Sequence, residues 1–186
     1  MGVLVLMGTG VSRLSAKQEH AHAMIKAEQT TNPNNQSNAL IKIVRESTER
    51  FKDVSAAQTA GYYLQFGCVS GPDSGAMGMH FVNFPLVMDG ALDATRPEIV
   101  IYEPKPDGRL QLIGADYLVL ADAWNASHSA PPQLMGQLFH YFEAPNRFGL
   151  PAFYSLHVWA WKENPTGAFV NWHSNVSCTA FSGPNQ

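Results

Sequence analysis

An α+β domain, with a mostly antiparallel sheet of about five strands under one main N-terminal helix, is predicted by three features of this sequence. Apolar residues recur with a helical period near residue 40, and the period then changes to two over five separate segments. Short connections rich in Gly and Pro separate those segments, and no 20–50-residue repeat suggests a solenoid. The 186 residues suit one domain, and 45% apolar with 11% aromatic content is enough to build a core.

Residues 1–38 read as a signal-peptide-like remnant and a flexible lead-in, and 39–186 as the single α+β domain. Gly2-Val3-Leu4-Val5-Leu6-Met7-Gly8 is a short apolar run followed by small and polar residues up to Ala16, as at the end of a signal peptide. No Lys or Arg precedes the run. His20 and His22 follow and read as tail histidines. Asn32-Pro33-Asn34-Asn35-Gln36-Ser37 is a breaker segment. The helix comes next: Leu40, Val44, Ser47, Phe51, Val54 and Gln58 share one stripe, Ser37 or Asn38 caps its start, and Gly61 suits its stop.

Residues 77–83, 98–103, 109–120, 134–142 and 153–161 then read as strands. Pro104-Lys105-Pro106-Asp107-Gly108 is short enough to make the second and third of these a hairpin. Residues 71–75 and 121–132 read as loops.

Cys68 and Cys178 stand 110 residues apart, and neither belongs to a Cys-x-x-Cys pair. They are two buried thiols or, in an exported protein, one disulfide that stabilises the fold by about 4 kcal/mol. The second reading goes with the N-terminal segment and places the protein in the periplasm or outside the cell.

Charge is sparse at 15% with a net value of −3, so there is no basic stripe for nucleic acid. No run of 18 or more apolar residues is present to span a membrane. A Gly-x-Ser-x-Gly elbow and a phosphate-binding Gly-x-x-x-x-Gly-Lys loop are both missing.

Chemistry therefore falls to the histidines of the strand region: His80, His140, His157 and His173. Alternation places His157 on one face with Phe153, Ser155, Trp159 and Trp161, His80 with Gly78 and Val82, and His140 with Leu138 and Phe142. An imidazole among apolar neighbours needs a partner, since an unpaired buried polar group costs about 1–3 kcal/mol. Two readings stand. Each histidine bonds a carbonyl or carboxylate within the core, or His80, His140 and His157 converge on a metal, with Glu103, Asp116 or Glu143 completing the shell. Imidazoles suit Zn or Cu, and a carboxylate adds Fe. Glu103, at the end of an apolar strand face, is the carboxylate taken as partner. Trp159, Trp161, Trp172 and Tyr154, with Arg147 and His173 nearby, form either core or the wall of a pocket for a small or sugar-like ligand.

In the segments Phe66-Gly67-Cys68-Val69-Ser70-Gly71-Pro72, Gly78-Met79-His80-Phe81-Val82-Asn83, Arg96-Pro97-Glu98-Ile99-Val100-Ile101-Tyr102-Glu103, Asn146-Arg147-Phe148-Gly149-Leu150-Pro151 and His157-Val158-Trp159-Ala160-Trp161, the chain resembles a family of uncharacterised exported bacterial proteins. The resemblance spans roughly residues 60–180 and implies export, with no activity to carry over. Ile101-Tyr102-Glu103 and Leu112-Ile113-Gly114-Ala115-Asp116-Tyr117 are similar to the oil-body-associated protein family, whose later histidine pattern this chain lacks.

The leading expectation is thus an exported protein with a histidine-centred site for Cu, Zn or Fe in an aromatic-walled pocket. Such a site would activate water or oxygen toward a small or sugar-like substrate if it is catalytic. The alternatives are a metal-free binding module built on Trp159, Trp161 and Trp172, or a structural envelope protein.

Overall fold

The computed structural model describes residues 33–184; the apolar run at 2–8, His20 and His22 lie outside them. The chain divides into two compact units, residues 1–36 and 37–186, and of the first only 33–36 are described.

Helix α1 runs Pro33–Thr48, a 3₁₀ turn follows at Glu49–Lys52, and helix α2 spans Val54–Thr59. The one helix expected from Ser37 or Asn38 to Gly61 thus starts earlier and breaks once. Proline has no amide to leave unpaired in a first turn, so Pro33 opens the helix instead of preventing it. Asp53 makes the break. Its backbone is extended, and its side chain accepts a hydrogen bond from the Ser55 amide at 2.9 Å, which caps α2.

Six strands form one antiparallel sheet in the order β1-β2-β3-β4-β8-β7. They are β1 Tyr63–Gly71, β2 Gly75–Val82, β3 Ile99–Pro104, β4 Leu110–Leu120, β7 His140–Phe142 and β8 Phe153–Val158. A separate ribbon pairs β5 Gln133–Leu134 with β6 Gln137–Leu138. Short helices α3 Phe84–Asp89 and α4 Ala121–Asn125 fill connections. The predicted hairpin is present as β3–β4: Gly108 donates to the Lys105 carbonyl, and Lys105 to that of Arg109.

One strand was not foreseen and one strand expectation is corrected. β1 shows no clean alternation because Tyr63, Leu64 and Gln65 are all exposed and Gly67 bends it with φ +63°. The run 134–142 is not one strand, because Met135 and Gly136 both take positive φ and turn the chain back on itself.

The sheet separates two faces. Leu40 and Val44 of α1 are fully buried against Ala115, Tyr117 and Val119 of β4 and Leu156 and Val158 of β8. Alternation puts Asp116, Leu118, Phe153, Ser155 and His157 on the other face, away from the helix. One disulfide joins Cys68 to Cys178. It fastens a C-terminal segment that has no regular strand among the described residues; there Ala76 and His173 exchange two backbone hydrogen bonds, and the Trp161 and Lys162 amides donate to the Ile113 carbonyl of β4.

Candidate metal centre

His157 of β8 stands opposite Asp116 of β4 in the ladder, so both side chains leave the sheet on the same face. His80 lies on β2, three strand steps from β8 in the sheet order. In a flat sheet those steps would keep the two histidines about 14 Å apart. The sheet curls instead, and His80 Nε2 comes within 3.4 Å of His157 Nε2. One potential ligand atom from each of His80, Asp116 and His157 lies within 4.8 Å of the others. All three residues are 3% exposed.

Local bonds fix the orientation of this group. Gly78, at φ +89°, bends β2 just before His80; a Cβ there would meet the Tyr102 carbonyl at 2.7 Å, so only glycine fits. The Gly78 carbonyl faces His80 Nδ1 at 3.2 Å. A carbonyl only accepts, so Nδ1 carries the proton and Nε2 is left with its lone pair. Ser155 Oγ donates to Asp116 Oδ1 at 2.7 Å. His157 Nδ1 is 3.6 Å from the same Asp116 oxygen and makes no hydrogen bond of ordinary geometry. The buried, unpaired Asn171 Oδ1 faces His157 as a second acceptor.

Burial dominates the protonation of all three. It lowers His80 to about 4, helped by His157 and opposed by Asp116 and the Gly78 carbonyl. It lowers His157 to about 3, with His140 adding to the shift and Asn171 opposing it. Burial raises Asp116 to about 6 against His80 and the Ser155 hydroxyl. Both imidazoles are therefore neutral at pH 7, where Asp116 is mostly ionised.

Neutral rings carry one proton each, and this creates a conflict. With its proton on Nδ1, toward Asp116 and Asn171, His157 turns its Nε2 lone pair onto that of His80. With the proton on Nε2, its Nδ1 lone pair faces a carboxylate instead. A cation between the two Nε2 atoms removes the conflict. Two nitrogens bound tetrahedrally at about 2.05 Å stand about 3.3 Å apart, close to the observed 3.4 Å.

The cavity above these atoms measures about 20 Å³. That is room for a single ion or water and far below the roughly 300–1,000 Å³ of small-molecule pockets. Phe66, Met77, Phe142, Phe148, Leu150 and Phe153 supply its apolar wall.

Other residues singled out from the sequence lie apart from the group. His140 is exposed on the edge strand β7, opposite Ser155. Glu103, at the far end of β3, accepts hydrogen bonds from Lys105, Lys162 and the Ser177 amide, so its charge is already matched. Those contacts hold it below the ordinary carboxylate range against its burial. Glu143 is exposed. His173 is fully buried, accepts from the Asn175 amide through Nδ1, and packs edge-on to Trp159.

The tryptophans do not line one cavity. Trp159 is buried and bonded to the Val170 carbonyl, and Trp161 donates to Thr48 under the Lys52 ammonium. Tyr154 bonds Asn125 from the helix side of β8, and Arg147 reaches the Ser70 carbonyl. A solvent-open groove of about 950 Å³, lined in part by Lys52, Arg109 and Trp161, lies elsewhere, and Arg109 there is paired with Asp107.

Three residues of the site were weighed lightly or overlooked in the sequence. Asp116 stood as one of three possible carboxylates; Ser155 and Asn171 gave no signal beyond alternation. No protein-family model, curated protein or solved structure matches the chain.

Proposed function

We propose that this is an exported metal-binding protein in which His80, His157 and Asp116 hold one transition-metal ion. The supporting observation is the pair of buried Nε2 atoms 3.4 Å apart, with a carboxylate oxygen of Asp116 among the ligand atoms that lie within 4.8 Å of one another. Two imidazoles and one carboxylate are a donor set for zinc or ferrous iron that leaves coordination positions open. The Gly78 carbonyl orients the His80 ring from behind, as partners of metal-bound histidines do, and Asn171 stands beside the His157 ring. When bound, the metal would supply Lewis acidity or oxygen chemistry at those open positions. Ser155 holds Asp116, and the phenylalanine wall excludes bulk water. The buried disulfide belongs with an oxidising compartment, the basis for placing the protein outside the cytoplasm.

Elemental analysis of native protein, purified without a tag or chelator, tests this directly. About one Zn, Cu or Fe per chain is expected; protein that stays metal-free after reconstitution with each ion would end the proposal.

The pH dependence of binding follows from the protonation pattern. Ligands must be deprotonated to bind, and His80 and His157 stay neutral down to about 4 and 3. Asp116 is the first to take up a proton, near 6. Affinity is therefore expected to be flat above about pH 7 and to fall about tenfold per pH unit below about 6. Competition titrations against a chromophoric chelator from pH 5 to 8 measure it. A two-proton slope beginning near the ordinary histidine range would contradict the assignment.

A further inference from the structure

The floor of the site is polar, but its mouth is not. Phe66, Phe142, Phe148 and Leu150 are half-buried above the histidines, and among the described residues Asp116 is the only carboxylate or cation lining the cavity. Phe148 meets Phe66 and Phe153 edge to face, at 5.4 and 6.1 Å, and Phe142 stacks on Phe153. Every lining residue except two sits on a strand. The exceptions are Phe148 and Leu150, from the connection between β7 and β8, residues 143–152.

That connection is braced within itself. Asn146 Oδ1 accepts from the amides of Phe148 and Leu150, and its Nδ2 donates to the carbonyls of Glu143 and Leu150. Its polar fastening to the far side of the mouth is Arg147, whose Nη2 donates to the Ser70 carbonyl of β1 at 3.0 Å and whose guanidinium lies 5.9 Å from the Trp172 ring; Ala152, at the end next to β8, accepts from the Ala121 amide. A segment that is stiff inside and lightly tied outside moves as one piece.

We propose that residues 143–152 are the door of the metal centre, and that the closed door passes small uncharged molecules while holding back ions. This rests on the metal-centre reading above. A hydrated ion or carboxylate crossing the phenylalanine mouth would lose water with no opposite charge to replace it, a cost of several kcal/mol. A two- or three-atom uncharged molecule loses far less on crossing, because it has no charge to desolvate. The metal, itself a hydrated cation, enters and leaves only when the door swings clear.

Cobalt(II) is the probe, because its visible bands report coordination. In wild-type protein, release of cobalt into excess EDTA is expected to be slow. In Phe148→Ala both release and uptake should be about tenfold faster or more, each changing by a larger factor than the Kd does. Arg147→Ala, a surface change that leaves the wall intact, should speed release by a smaller factor. Methyl isocyanide should alter the bands of the wild-type protein and acetate at equal concentration should not, whereas Phe148→Ala should admit both. Equal exchange rates in all three proteins, or acetate binding wild type as readily as the isocyanide, would overturn the proposal. If no cobalt bands form, the metal-centre reading fails, and xenon NMR judges the mouth alone. A xenon shift that Phe148→Trp removes would uphold its selectivity for uncharged guests, and no shift would refute it.

Discussion

His80→Ala is expected to bind metal at least about 100-fold more weakly than wild type, and the His80→Ala, His157→Ala double variant not measurably. Structural zinc sites with four ligands reach about 10–16 kcal/mol, or about 3 kcal/mol per ligand, and each 1.4 kcal/mol is a tenfold change. A site with three protein ligands has little to spare. Both variants should remain folded; the double variant also removes His157 Nδ1, a buried atom with no hydrogen-bond partner, which offsets part of the cost of the cavity left behind. His140→Ala is the control: it alters an exposed edge-strand histidine outside the group and should leave the Kd within about threefold. Isothermal titration with zinc, alongside far-UV circular dichroism, measures both quantities. If His80→Ala kept wild-type affinity, the contact between the two rings would be core packing and no more.

The fold was legible where the residues carry a period. Residues 99–104, 110–120 and 153–158 were found because both faces of those strands are buried and their apolar runs are dense. β1 was missed because its outer half has no buried face to enforce alternation. The break in the first helix was missed because the stripe continues on both sides of it, while one residue, Asp53, ends and restarts the backbone.

The site was legible by halves for a physical reason. Alternation correctly put His157, Ser155 and Phe153 on one face, which is local information. That His80 belongs with them depends on how far the sheet curls, and curl is set by glycines such as Gly78 and by packing across four strands. Glu103 and Asp116 looked alike as carboxylates on apolar strands. The difference is their company: Glu103 meets two lysines supplied by a turn and by the C-terminal segment, whereas Asp116 meets two imidazoles and a serine.

Removing the disulfide through Cys68→Ala, Cys178→Ala is expected to cost about 4–5 kcal/mol of stability, because the bridge closes a loop of 110 residues. The urea midpoint should fall and the slope should steepen, because the unlinked unfolded chain exposes more surface, while the native fold keeps other ties to the C-terminal segment. Those ties are the Ala76–His173 pair, the Lys162 and Ser177 bonds to Glu103, and buried Val176. Native protein should also resist reductant until it unfolds, as Cys68 is fully buried and Cys178 is 6% exposed. The same variant connects stability to the site. Asn171, which faces His157, belongs to the segment that the disulfide fastens, so loosening that segment frees the imidazole to turn. Loss of an orienting partner behind a ligand weakens metal binding by about 10–100-fold. The double cysteine variant should therefore bind zinc about tenfold more weakly than wild type under conditions where it is fully folded. An unchanged Kd in that folded variant would mean that the sheet alone orients His157, and that the bridge serves stability only.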